Sequence, residues 1–282
     1  MLNIDGVVVF YNPNDDVIEN IKSYIKDIRK LYIIDNSENK NEELINKIIN
    51  QFSNVEYFWL GENKGIAYAL NKGAELAIKN GAEWLLTMDQ DSKFKENVLR
   101  KMINFIKTND TSKVGIISPL HKMRGDEYIG SDDIIEKITV MTSGNLLNLF
   151  AYKKCNKFRD DYFIDYVDHE YCLRLRKNGF KILVLTSAVL YHNLGTIKVY
   201  NFFRKKIKVT NHSPLRRYYI SRNRLDVFKK YIKNEPYFVL LDLKSFLLEW
   251  IKILLFEQNK WKKSKFIVRG IKDFLIGKKG KY

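Results

Sequence analysis

Hydrophobic and polar positions in this chain change their period repeatedly, and each change marks an element. Within Ile4 to Tyr11, Val7-Val8-Val9-Phe10 is a continuous apolar run, as a strand buried on both faces requires. Asn12-Pro13-Asn14-Asp15 turns the chain into a helix that Asp15 or Asp16 would cap, with Val17, Ile21, Ile25 and Ile28 on one face. Leu31 to Asp35 reads as a second strand, Glu42 to Gln51 as a helix and Val55 to Leu60 as a third strand. Gly61-Glu62-Asn63-Lys64-Gly65 leads into a helix from Ile66 to about Lys79, and Trp84 to Met88 is a fourth strand. Further on come a helix from Glu96 to Lys107, a strand from Val114 to Pro119 and a polar loop with Gly125, Gly130 and Ser131. Thr139 to Asn145, a helix running to about Lys177 and stopped at Gly179, a strand from Ile182 to Leu190 and a helix from about Ile220 to Lys230 follow.

Strands alternating with helices at this spacing predict an α/β fold with a doubly wound, mostly parallel sheet, which binds ligands at the carboxyl ends of its strands. Four loops at that edge carry Asn12, Asp35, Asn63 with Gly65, and Asp89 with Asp91. The last pair follows an apolar strand directly. One residue apart on an extended segment, Asp89 and Asp91 point to the same side and suit a divalent cation shared with a ligand's phosphates; alone, the pattern also fits a solvated turn. No Gly-x-Gly-x-x-Gly and no P-loop is present.

A second acidic cluster, Asp165-Tyr166-Val167-Asp168-His169-Glu170, opens the helix that ends at Gly179. Asp168 there is either a carboxylate favoured by the helix dipole or a general base at a helix mouth. His192 at a strand end is a metal ligand, a pocket wall or a plain hydrogen-bonded histidine. Ser143-Gly144 marks a close backbone approach or a turn.

Composition adds one fact that changes the picture. The 282 residues are 45% hydrophobic and 29% charged, an ordinary globular balance, yet the net charge is +16. Residues 195–282 hold 23 Lys+Arg against 6 Asp+Glu, a net +17, which leaves −1 upstream. So basic a segment suits nucleic acid, an anionic membrane surface or a phosphate-rich substrate. Beyond Pro236, Leu240, Leu243, Leu247, Trp250, Ile251 and Leu254 oppose Asp242, Ser245, Glu249 and Lys252 at helical spacing. This helix is expected to pack on the rest of the chain. Trp261 to Tyr282, apolar residues among lysines, is expected either to pack or to dock in an anionic membrane interface. Asp242, Lys244, Glu249 and Lys252 interrupt the longest apolar stretch, so no membrane span is expected. Cys155 and Cys172 carry no metal or disulfide spacing and fit a reducing cytosol, and Met1 to Tyr11, with Asp5, lacks the basic start of a leader.

The ordered set Val9-Phe10-Tyr11-Asn12-Pro13, Ile34-Asp35-Asn36-Ser37, Asn63-Lys64-Gly65-Ile66-Ala67 with Asn71-Lys72-Gly73, and Met88-Asp89-Gln90-Asp91-Ser92 resembles the family 2 glycosyltransferases of GT-A fold. The likeness continues through Ser143-Gly144-Asn145, Phe163 to Glu170, His192-Asn193-Leu194-Gly195, Tyr218-Tyr219 and Arg222-Asn223, and within the family it is to the rhamnosyltransferase-like branch that uses dTDP-L-rhamnose. It covers roughly residues 4 to 224. The resemblance implies a catalytic domain over 1–235, a Rossmann-like nucleotide half plus an acceptor half, followed by a basic helical extension over 236–282. It implies that Asp35 bonds the pyrimidine base and that Tyr11, Asn12, Asn36, Asn63, Gly65, Asn71, Asp89 and Gln90 shape the donor pocket. Asp89 and Asp91, with His192 near them, would hold Mg²⁺ or Mn²⁺ on the diphosphate. Asp168 matches the catalytic base. Ser143, Gly144, Asp165, Glu170, Arg216, Arg217 and Arg222 would lie near acceptor or diphosphate. Many relatives have Glu-Asp where this chain has Val167-Asp168, which puts Glu170's role in doubt and leaves Asp168's intact.

The chemistry is consistent with these residue types. Displacing a nucleoside diphosphate needs positive charge against the leaving phosphates and a carboxylate to take the acceptor's proton. One metal-binding pair plus one separate acid suffices for a single, inverting displacement. The implied partners are a dTDP- or UDP-linked sugar and a glycan acceptor, polyprenyl-linked at the cytoplasmic leaflet if the basic segment meets anionic lipid. A phosphatase-type D-x-D would sit on the first strand rather than the fourth; a nucleotidyltransferase shares the sheet and the acids. A nucleic-acid-binding module is the non-enzyme alternative, and no nucleic acid partner is expected beside the enzyme reading.

Overall fold

The computed structural model describes residues 2–123, 133–192, 198–202 and 205–282. The expected loop at Gly125, Gly130 and Ser131, the Asn193-Leu194-Gly195 motif and the side chain of His192 lie outside the described residues. The strands are β1 (Ile4–Phe10), β2 (Leu31–Asp35), β3 (Val55–Trp59), β4 (Trp84–Asp89), β5 (Lys93–Phe94), β6 (Val114–Met123), β7 (Ile134–Glu136), β8 (Asn145–Asn148), β9 (Lys181–His192), β10 (Lys198–Phe202) and β11 (Lys205–Val209). The helices are α1 (Asp16–Lys22), α2 (Glu42–Gln51), α3 (Ile66–Lys79), α4 (Val98–Thr108), α5 (Leu149–Cys155), α6 (Val167–Lys177), α7 (Pro214–Tyr231), α8 (Pro236–Phe256) and α9 (Lys260–Leu275).

One sheet runs β3-β2-β1-β4-β8-β6-β9-β5, with β7 also on β9; β10 and β11 pair separately. β3, β2, β1 and β4 are mutually parallel, as their apolar runs predict. Past β4 the directions mix: β8 is antiparallel to both β4 and β6, while β6 and β9 are parallel. Alternate residues of the parallel strands feed opposite layers. Val7, Val9, Ile34 and Leu85 face the layer holding α3 and α6, and Val8, Phe10, Ile33 and Leu86 the layer holding α2 and α4. α3 lies unusually close, because a Cβ at Gly73 would come within 2.2 Å of Val7. That explains the glycine of Asn71-Lys72-Gly73 as a packing requirement.

Several elements add to or differ from the sequence reading. β8 and α5 are short and fully packed, so their periodicity is invisible in a window of ordinary length. α7 begins at Pro214, six residues before the expected start, because the Ser213 side chain accepts from the Arg216 amide and Pro214 occupies the first turn. Of the last two helices, α8 packs as expected through Val239, Phe246 and Ile253, and α9 takes the packed one of its two expected roles. α9 lies along α7, where Gly270 brings the backbones together at Tyr218 and Arg222, whereas α8 leaves one side uncovered. Among the described residues no helix is long and apolar enough to cross a membrane. Both cysteines are free and buried.

Candidate active site

The carboxyl edge of the parallel strands forms one wall of a cleft of about 1640 Å³. Register fixes it. Phe10 pairs with Asp35 and Val9 with Asp89, so Asp35 and Asp89 flank the end of β1. Gln90 is tied to Tyr11 in both directions: the Tyr11 amide donates to Oε1 at 2.8 Å and Nε2 donates to the Tyr11 carbonyl at 3.1 Å. Asn20 Nδ2 donates to the Gln90 carbonyl at 2.8 Å. The Asn12 amide donates to Ser37 Oγ at 2.7 Å, and the Asp89 amide to Ser143 Oγ at 3.1 Å. Tyr11, Asn12, Asn36, Asn63, Gly65 and the Asp89-Gln90-Asp91 turn all line the cleft. Ser143 and Gly144 are buried behind it; Gly144, at φ +80°, sits where a Cβ would strike Leu190 and Pro119. That is the close approach the sequence suggested.

Four residues expected in the site face inward instead. Asp35 is fully buried, its oxygens accepting from the Ser37 amide at 2.9 Å and the Tyr57 hydroxyl at 2.8 Å, so it seats Ser37 beneath Asn12. Asn71 bonds Phe158 through both its amide and carbonyl and accepts from the Tyr152 hydroxyl. Glu170 is held by Arg174 at 2.7 Å and the Tyr231 hydroxyl at 2.9 Å. Arg222 donates to the carbonyls of Asp161, Tyr162 and Gly280. Asp35, Asn71 and Arg222 thus brace loops and Glu170 ties α6 to α7, and none of the four lines the cleft.

The opposite wall is the acid loop before α6. Phe163, Asp165 and Tyr166 have φ of +65°, +61° and +63°, left-handed conformations that cost a side-chain-bearing residue energy. Asn223 supplies the restraint: its Nδ2 lies 3.0, 2.9 and 2.9 Å from the carbonyls of Tyr162, Ile164 and Asp165. On the other side Gly65, φ +88°, accepts the loop against itself. The Phe163 carbonyl takes a hydrogen bond from the Ile66 amide at 2.9 Å, and a Cβ on residue 65 would fall 2.5 Å from that oxygen. The donor-side turn and the acid loop are thus in direct backbone contact.

Asp168 stands in the first turn of α6, half-buried in the cleft, with Oδ1 2.8 Å from His169 Nδ1. Burial pushes its carboxyl up, but the neighbouring imidazole and two hydrogen bonds outweigh it and leave the group below its ordinary value. His169 answers in kind: burial lowers it, and the Asp168 charge more than compensates, raising it. Asp165 is held up mainly by burial, against the pull of Arg216, whose guanidinium forks onto it at 3.0 to 3.2 Å. Two carboxyls three residues apart therefore sit in different electrostatic settings.

Cations from α7 complete the cleft. Arg216 is half-exposed at its rim. Arg217 is buried on Glu257 at 2.7 Å, and its Nε has no hydrogen-bond partner. Arg224 is held by Glu249 and Asp242 on α8. Arg216, Arg217, Lys263 and, above all, burial push His212 down to about 3. Sequence reasoning gave no role to His169, Asn223 or Arg224, and it took Asp242 and Glu249 for a solvent face. Only the first had a local signal, its adjacency to Asp168.

Among the described residues no three His, Cys, Asp or Glu side chains cluster as a complete metal cage. Asp89 and Asp91 are two hard oxygen ligands on one turn, the donor set that suits Mg²⁺ or Mn²⁺ completed by a substrate's phosphates. Pairing of Lys93 with Tyr191 brings the backbone end of β9, at His192, across from that turn.

A family model described as glycosyl transferase family 2 matches residues 7–176. The chain is 27% identical over 248 residues to the dTDP-rhamnosyl transferase RfbF of Shigella flexneri, covering 81% of this chain and 80% of that protein. Among solved structures, the mannosyltransferase PcManGT from Pyrobaculum calidifontis, in complex with GDP-Man and Mn²⁺, superposes with a TM-score of 0.63 at 12% identity, over 98% of this chain and 88% of that one. S. aureus TarS gives 0.57 at 15% identity over 96% of this chain, which spans 43% of the TarS length. These likenesses carry the GT-A fold expected from the sequence.

Proposed function

The chain belongs to glycosyl transferase family 2, and from that premise we propose that it moves L-rhamnose from dTDP-L-rhamnose, with inversion, to a hydroxyl of a lipid-linked glycan or polysaccharide. The choice of donor is supported by the likeness to a dTDP-rhamnosyl transferase along most of both chains. One observation carries the mechanism: the Asp89-Asp91 turn and Asp168 face one cleft from opposite walls.

In this reading the nucleotide lies along the strand ends, between Tyr11-Asn12 and Asn63-Gly65, with Asp35 seating Ser37 beneath Asn12 and Asn36 bonded to Lys64 and Gly65. The neutral amides around Asn12, Asn36 and Asn63 suit a base and a ribose. Asp89 and Asp91 would hold Mg²⁺ or Mn²⁺, which neutralises charge on the leaving diphosphate. Arg216 at the rim stands where a guanidinium group can also meet phosphate oxygens, with Arg217 buried behind it adding positive charge to the same wall. Asp168 takes the proton from the acceptor hydroxyl as that oxygen attacks the sugar carbon; the glycosidic bond to phosphate breaks, and the nucleoside diphosphate leaves with the bonding pair. Asp168 is ionised at neutral pH because of His169, so it enters the step as a base. Asp165 is already committed to Arg216, whereas Asp168, at the helix mouth, is paired with its neighbour His169 and no arginine.

The test is a panel of nucleotide sugars assayed with Mn²⁺ and Mg²⁺. dTDP-L-rhamnose is expected to be bound and slowly hydrolysed in preference to UDP-linked sugars, and Asp91→Ala to lower that turnover at least about 100-fold. Preference for another donor removes the rhamnosyl assignment; indifference to Asp91→Ala removes the metal assignment.

A further inference from the structure

α8 is apolar on its outside. Leu240, Leu241, Leu247, Leu248, Ile251 and Leu255 are between 46% and 64% exposed, and at three- and four-residue spacing they form one continuous surface. Exposed apolar surface of this extent marks an interaction site. Its chemistry is set by what surrounds it. From Pro236 to Tyr282 the chain has only four acids, Asp242, Glu249, Glu257 and Asp273. None of them faces outward unpaired: Asp242 and the 38% exposed Glu249 line the cleft and hold Arg224, Glu257 is buried on Arg217 and Lys263, and Asp273 is buried on the Tyr218 hydroxyl at 2.7 Å. The outward charges are cations, Lys244 on α8 and Lys262, Lys265, Arg269 and Lys272 on α9, with Lys252 at the cleft's edge and Trp261 76% exposed among them.

We propose that the outer faces of α8 and α9 form a docking surface for an anionic lipid bilayer, with α8 lying in the headgroup region alongside the cleft. Leucines with lysines, an exposed tryptophan and no carboxylate are what an interfacial helix presents to such a surface. A second copy of this chain fits the leucines but not the charge, since it would bring like-signed surfaces together. α8 is about 32 Å long at helical rise, yet its four charged residues keep it in the interface rather than across it. Leu241 and Leu248 are i+4 neighbours of Ser245 and Lys252, which line the cleft, so the apolar face begins at the cleft's lip. Docked this way, the cleft opens at the membrane surface, where a lipid-linked hydroxyl arrives. That last step rests on the glycosyltransferase reading; the docking does not.

The experiment is co-sedimentation of the full chain with phosphatidylcholine vesicles, with and without phosphatidylglycerol. Binding is expected to need the anionic lipid and to weaken with added salt. Leu248→Glu combined with Leu255→Glu should lower partitioning at least about tenfold, with circular dichroism and donor hydrolysis unchanged. Lys262→Gln and Lys265→Gln should each lower it about fivefold; they decide the matter if the leucine variant does not fold. A chain that stays in the supernatant with both vesicles overturns the proposal. So does a dimer, seen by light scattering, that the leucine variant converts to monomer without vesicle binding, because the face then covers a second copy. Vesicle binding without turnover of any nucleotide sugar would leave the docking surface standing and remove the donor reading.

Discussion

The two acidic segments that face each other across the cleft are built by opposite means. Asp89 and Asp91 come off the end of a strand whose register with β1 and β8 places them, and no residue from Asp89 to Ser92 has a positive φ. Asp168 is presented by a loop with left-handed residues at 163, 165 and 166, held from α7, some sixty residues later in sequence, by Asn223 with Arg222 and Arg216. The first arrangement is local and cheap to maintain. The second stores strain that distant contacts must offset, so its precision depends on parts of the molecule that never touch substrate.

The largest expected effect tests whether both segments are catalytic at all. Asp168→Asn should lower transfer by about 10² to 10⁴-fold while donor binding, measured by calorimetry, stays within about twofold; retained turnover would leave only the strand-end acids in a chemical role. Next, Asn223→Ala removes the donor shared by three loop carbonyls, one buried and two part-buried, and should cost about 2–3 kcal/mol in urea unfolding. It should also lower kcat more than it raises donor KM. An equal fall in donor affinity would mean that the loop and the strand-end turn are one unit.

The smallest effect concerns the His169-Asp168 pair. Asp168 sits below its ordinary 3.8, so its contribution is present above that pH and lost as pH falls through its depressed value. His169 sits above its ordinary 6.5, so its contribution is full below 6.5 and lost as pH rises through its raised value. The stability difference between wild type and His169→Gln should therefore be larger at about pH 5 than at about pH 9, and smaller throughout than the Asn223 effect. A difference independent of pH would show that the ring packs against Tyr166 without carrying charge.

This contrast also explains how legible each segment was. β1 to β4 and the acids at their ends follow from apolar runs and two-residue alternation, which are properties of adjacent positions. The acid loop showed its carboxylates but not its support. Asn223 and Arg222 are polar residues on a helix, and nothing local says that this face of α7 is buried. Asp35, Asn71, Glu170 and Arg222 were expected to touch ligand for the same reason. Motif spacing marks positions under constraint without saying whether the constraint is contact with substrate or support of the residue that makes it. α8 and α9 show the limit again: both carry apolar residues at helical spacing, and only the close seat of Gly270 on α7 determines which of them is covered.

The clamp on the acid loop also has a temporal side. A chain emerging from the ribosome carries β1 to β4 and the Asp89-Asp91 turn within its first 91 residues, with β8, the other neighbour of β4, following at 145–148. The loop bearing Asp168 must wait until position 223 has been synthesised before its carbonyls find their donor. On the proposed function, a nascent or prematurely ended polypeptide would thus carry the strand-end acids without the restrained loop that presents Asp168, and transfer would begin only once α7 is in place.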